Sequence, residues 1–181
     1  MDKKIIGLTL ILLFGLLLLG CTSSNTNNTT GTNNQPATNT QPSSKVYAVG
    51  EPIVLGNTSY TVNSVDQQAA LGSEYLAKTA SDGATYYLVE VKIQNTGNSE
   101  ITATPSNDVT IIDSKERTYK PDLTLSMYAK QSGFETFDIL EKIPAGISRT
   151  GVIVFEMPEG TTGQIKIKPS MFSGEATIEF K

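Results

Sequence analysis

Tyr86-Tyr87-Leu88-Val89-Glu90-Val91-Lys92-Ile93-Gln94-Asn95-Thr96-Gly97 is the stretch whose reading decides the fold. Tyr87, Val89, Val91 and Ile93 alternate with Tyr86, Leu88, Glu90, Lys92 and Gln94. In an extended chain successive side chains point to opposite faces, so one face of this segment is apolar throughout, as in a half-buried strand. Ser81-Asp82-Gly83 before it and Asn95-Thr96-Gly97-Asn98 after it carry turn chemistry and bound the strand on both sides.

Similar short runs lie on either side: Ile53–Leu55, Tyr60–Val65, Val109–Ile112, Gly151–Met157, Gln164–Lys168 and Ala176–Phe180. Turn clusters separate them: Gly56-Asn57, Asp113-Ser114-Lys115, Pro144-Ala145-Gly146, Pro158-Glu159-Gly160 and Ser173-Gly174. Seven or eight short strands with such punctuation predict an all-β, antiparallel sandwich rather than alternating strands and helices. Gly151–Met157 is apolar on both faces, which predicts a central place in a sheet. Only Gln67–Lys78 and Met127–Lys142 have helical potential, and neither shows firm caps. Lys45–Lys181 makes one domain of 137 residues, enough to bury roughly two-thirds of its unfolded surface.

Several segments taken together resemble a known family. Val49-Gly50-Glu51-Pro52-Ile53, Tyr60-Thr61-Val62-Asn63-Ser64-Val65 and the opening stretch come in that order. Ile143-Pro144-Ala145-Gly146 and Gly151-Val152-Ile153-Val154-Phe155-Glu156-Met157-Pro158 follow. The order and spacing resemble the telokin-like domain of unknown function, family 4352, found on prokaryotic lipoproteins and cell-surface proteins. The resemblance implies an immunoglobulin-like β-sandwich over nearly all of Lys45–Lys181. It brings no catalytic or binding residues with it. With no Trp and a single Cys, the disulfide and tryptophan of antibody-type cores are missing, so the core must rest on aliphatic, Tyr and Phe packing.

The N-terminus predicts where this domain is displayed. Met1-Asp2-Lys3-Lys4 is followed by an apolar run from Ile5 to Leu19, the layout of a secretory signal over residues 1–20. At 15 residues the run is shorter than the roughly 20 that a spanning helix needs. It ends in Leu18-Leu19-Gly20-Cys21, which resembles a lipoprotein signal. An aliphatic residue stands three before the cysteine, a small one admits the peptidase, and the thiol takes a diacylglycerol thioether. Cys21 is the only cysteine, so no disulfide can form within the chain. A single lipid chain binds membranes marginally and two bind stably, so a diacylated Cys21 anchors without any further apolar segment.

From Thr22 to Ser44 the chain holds Asn, Thr, Ser, Gln and Gly with Pro36 and Pro42, and no charge or aromatic. Such a composition cannot offset the entropy of ordering, and residues 21–44 read as a lipidated cysteine and flexible tether. Its average span is about 25–30 Å and its stretched limit about 75–80 Å. The Asn27-Asn28-Thr29, Asn28-Thr29-Thr30 and Asn57-Thr58-Ser59 triplets match the glycosylation acceptor pattern, as chance alone allows in so Asn/Thr-rich a chain.

The chemical inventory points away from catalysis. The chain has no histidine, which removes the commonest general base and metal ligand. With Cys21 lipidated, no thiolate remains. Removing the signal takes the formal charge from −4 to −5; no basic cluster is present, which argues against nucleic acid. Glu135, Asp138 and Glu141 are the densest carboxylates and would share a face if helical; their plainer reading is a solvated surface. Asp66, Asp108, Asp113 and Asp122 lack calcium-loop spacing, so no metal or other cofactor is expected.

Leu123, Leu125, Met127, Tyr128, Phe134 and Phe137 gather in Pro121–Leu140, where the period of two is lost. Two readings stand. These side chains close the open end of the sandwich as core, or a minority of them, Tyr128 and Phe134 first with Phe137, form an exposed contact for a partner. The expected function is a membrane-anchored, extracytoplasmic, non-catalytic module that binds an envelope protein, glycan or small molecule, or serves envelope structure. The alternatives are an accessory or inhibitor protein docked on an envelope hydrolase, and a wall or glycan hydrolase working with carboxylates alone.

Overall fold

The opening stretch folds as expected into a long strand, and every other predicted run is a strand too. In chain order they are β1 (Val46–Tyr47), β2 (Ile53–Leu55), β3 (Thr58–Gln68), β4 (Ala70–Leu71), β5 (Lys78–Thr79), β6 (Ala84–Asn95) and β7 (Ile101–Ala103). There follow β8 (Val109–Asp113), β9 (Thr118–Tyr119), β10 (Glu141–Ile143), β11 (Ser148–Pro158), β12 (Gly163–Ile167) and β13 (Ala176–Phe180). Two helices, α1 (Pro105–Asp108) and α2 (Leu123–Gln131), complete the elements among the described residues. The strands that no alternation announced, β1, β4, β5, β7, β9 and β10, have only two or three residues each. The structure is a computed structural model that describes residues 45–169 and 174–181. The expected signal peptide with Leu18, Leu19 and Gly20, the expected lipidation site Cys21 and the expected tether lie outside the described residues.

Two sheets face each other. One has the order β1-β13-β12-β8-β9 and the other β11-β6-β3-β2, with β10-β7 and β4-β5 as two-stranded additions. Pairing is antiparallel within both large sheets except at β1, which runs parallel to β13. Tyr87, Val89, Val91 and Ile93 of β6 join Val109 and Ile111 of β8, Ile165 and Ile167 of β12, and Ile178 and Phe180 of β13 in one buried cluster. Aliphatic and aromatic packing does the work of the missing disulfide and tryptophan. Tyr87 meets Phe180 edge to face at 6.2 Å, and its hydroxyl accepts from the Thr161 amide at 2.7 Å.

The Asn-Thr-Gly that closes the opening stretch has a specific role. Asn95 is fully buried. Its amide donates to the carbonyls of Ser99 (2.8 Å) and Ile143 (2.9 Å), and its side-chain oxygen accepts from the Gly97 amide (2.9 Å). One side chain thus fixes the turn after β6 and ties it to β10.

Three expectations need correction. Gly151–Met157 lies in β11, which is an edge strand and not a central one. It is apolar on both faces because Val152 and Val154 are covered from outside by Leu125 and Ala129 of α2, in a second buried cluster with Leu71, Tyr86 and Leu88. For the same reason β6 is buried on both faces over its first half and on one face only from Glu90 onward. Gln67–Lys78 is not helical: β3 runs to Gln68 and a β4–β5 hairpin follows. Gly72 there has φ +112, and a Cβ on it would lie 2.3 Å from the Leu76 carbonyl oxygen. Met127–Lys142 is helical only to Gln131. The helix begins earlier, at an Asp122 cap, and Gly133 with φ +91 ends it.

Candidate functional site

Asp122 positions a helix whose outer flank is exposed and apolar. Its carboxylate caps α2 by accepting from the amides of Thr124 (2.8 Å) and Leu125 (3.4 Å), satisfying donors that a helix start leaves unpaired. Its own amide donates to the Val154 carbonyl at 3.0 Å, which fixes the helix start on the edge of β11. That phase turns Leu125 and Ala129 inward. Leu123, Met127 and Lys130 fall along one flank of the helix.

After α2 the chain doubles back along β11. Phe134 donates its amide to Ala129 (3.1 Å), and the Glu135 carbonyl accepts from Val152 (2.8 Å). Thr136 then pairs in parallel with Val152. Phe137 lies against Gly151, where an added Cβ would stand 3.2 Å from both the ring and the Phe137 amide nitrogen. A side chain there would require Phe137 to give by a few tenths of an ångström. Chain thereby covers part of this edge strand, one of the ways a sheet edge is kept from pairing with another molecule.

Between α2 and residues 136–139 a groove of about 410 Å³ remains, lined by Leu123, Met127 and Lys130 on one wall and by Phe137, Asp138 and Ile139 on the other. Three of its apolar side chains stay open to solvent: Leu123 at 48%, Met127 at 66% and Ile139 at 67%. Leu140 beside them is also exposed. Tyr128 and Phe134 are both half-buried against the second cluster, with Lys78 Nζ 5.8 Å from the centre of the Tyr128 ring. Phe137 is half-buried, packs on the main core and lines the groove. The most exposed apolar groups of the region are therefore Leu123, Met127, Ile139 and Leu140. The Asp122 cap was the signal for this: it sets the helical phase that puts Leu125 and Ala129 inside and Leu123 and Met127 outside.

The charged groups singled out by the sequence are scattered. Glu141 lies in β10 and pairs with Arg149 at 3.3 Å while accepting from the Asp138 amide; Glu135 and Asp138 lie in the extended segment, so no helix face gathers the three. Asp66 accepts from the Ser64 hydroxyl. Asp108 is buried, which pushes its carboxyl up against the opposing pull of the Thr104 hydroxyl and amide. Asp113 shows the reverse balance. Burial pushes its carboxyl up, but donors from Arg117, Lys115 and Tyr119 outweigh that and hold it down at about 2. It pins the β8–β9 turn beside a roomier cleft of about 740 Å³ that Glu116, Glu179, Phe180 and Lys181 also line. Among the described residues no group of three or more Cys, Asp or Glu side chains is placed to hold a metal ion, and no helix is long and apolar enough to cross a membrane.

The fold and surface define a class: a β-sandwich with a helix on one outer face and an apolar groove beside it. The chain belongs to the family described as Domain of unknown function (DUF4352), whose family model matches residues 47–177. It is similar to the uncharacterized protein YxkC of Bacillus subtilis, 28% identical over 140 residues and 76% of each chain. Among solved structures it resembles a conserved hypothetical protein of Bacillus anthracis, with a TM-score of 0.56 at 20% identity over 67% of this chain and 89% of that one. MPT63, a secreted protein of Mycobacterium tuberculosis, gives 0.54 at 13% identity over 76% and 98%. The B. subtilis protein ycdA, provisionally described as a lipoprotein, gives 0.54 at 19% identity over 72% of this chain and only 38% of its own. These likenesses establish the fold.

Proposed function

We propose that the chain is a lipoprotein held on the extracytoplasmic face of a membrane through Cys21, displaying a non-catalytic β-sandwich for binding. The observation that carries this reading is Leu18-Leu19-Gly20-Cys21 at the end of an apolar run too short to span, followed by an uncharged tether. Support comes from the provisional lipoprotein description of ycdA. Binding rather than catalysis fits a domain in which Asp122, Asp113 and Glu141 are engaged in a cap, a turn and an ion pair, and which leaves an apolar-lined groove open to solvent.

Fractionation of the producing cell tests it. The wild-type chain should sediment with membranes and Cys21→Ala should not be retained there in processed form. Equal amounts of processed chain in the membrane fraction for both would refute the lipid anchor.

A further inference from the structure

We propose that the groove between α2 and residues 136–139 holds the hydrocarbon chain of a zwitterionic phospholipid, one molecule at a time, with its head between Lys130 and Asp138. The proposal rests on the membrane-anchored reading above, which places the domain within reach of such lipids.

Three observations favour this occupant. The first is shape. A volume of about 410 Å³ lies within the roughly 300–1,000 Å³ of small-molecule clefts, and Leu123, Met127 and Ile139 line it while remaining about half or more exposed. Flexible Met and aliphatic groups suit an irregular hydrocarbon chain.

The second is charge. Lys130 stands on the helix wall and Asp138 on the facing wall, and neither joins an ion pair among the described residues. A head carrying both a phosphate and an ammonium can answer both; a singly charged head must leave one of them facing its own sign.

The third is the state of the backbone. Where β11 floors the groove, the Val152 amide is taken by Glu135 and the Val154 carbonyl by Asp122. An added peptide strand would find these groups already paired, which disfavours a peptide joining the sheet here. A hydrocarbon chain makes no such demand.

The test uses the mature chain from residue 21 with Cys21→Ser, so that no lipid is attached. It is titrated in solution with alkylphosphocholines of increasing chain length, each below its micelle concentration, and followed by calorimetry. Because anchoring is not needed for this readout, its failure sinks the groove proposal alone, whereas the fractionation experiment judges the anchor. Saturable one-to-one binding is expected, tightening about two- to fourfold for each added methylene until the groove is full and then levelling off. Met127→Lys should weaken it about tenfold or more without unfolding the domain, because that side chain points to solvent. Lys130→Asp and Asp138→Lys should each weaken it, and the double exchange should restore it. Absence of saturable binding, binding indifferent to Met127→Lys, or equal affinity for dodecylphosphocholine, dodecyl sulfate and dodecyltrimethylammonium would overturn the proposal.

Discussion

Asn95 shows how much a single polar side chain carries in this sandwich. Fully buried, it satisfies two carbonyls and one amide from the turn after β6 and from β10. Asn95→Ala leaves those groups unpaired and should cost about 2–4 kcal/mol, read as a lower midpoint in urea unfolding. Asp113 makes a prediction in pH. Its folded pKa, about 2, lies below the ordinary 3.8, so its contribution is complete above that ordinary value and is lost as pH falls toward the folded one. Melting temperatures measured from pH 5 to pH 2 should drop less steeply for Asp113→Asn than for the wild type. A parallel drop would show that the turn does not depend on the charged carboxylate. Neither role is legible in the sequence: both look like ordinary turn residues, Asn95 reaches a partner as far away as Ile143, and Asp113 gathers its local donors only once the β8–β9 turn has formed.

At the scale of elements, alternation revealed every long strand because period two is imposed by the pleat itself. It failed where a second layer covers a sheet. Tyr86 and Leu88 read as the outer face of β6, yet α2 buries them; β11 read as central, yet it is an edge closed by α2 and the residues after it. The helix lies earlier than Met127–Lys142 because its cap, Asp122, directly follows Pro121 and starts the helix at Leu123. Asp122→Ala should therefore cost about 1 kcal/mol, and Leu125→Ala about 2–5 kcal/mol by opening a cavity over β11. Gly151→Val should cost about 1–3 kcal/mol through overpacking against Phe137. Thermal unfolding of the three variants checks the order.

At the scale of the molecule, two buried clusters are joined by the same two strands, since β6 and β11 each contribute one face to the sheet interface and one to the layer under α2. Calorimetry should accordingly record one transition with equal van't Hoff and calorimetric enthalpies; a separate low-temperature melt of α2 would contradict that coupling. The groove belongs to this scale as well. Its walls come from Leu123–Lys130 and Phe137–Ile139 and its floor from Val152 and Ile153, so no local sequence pattern could announce it, although the apolar richness of Pro121–Leu140 marked the region. The proposed anchor, by contrast, rests on sequence, on the order of charge, apolar run, small residue and cysteine. The most direct test of the account is the intact mass of the protein extracted from its own membranes. A chain starting at Cys21 and heavier by at least a diacylglycerol is the predicted result. A chain that keeps residues 1–20, or one cut elsewhere and carrying no lipid, would contradict it.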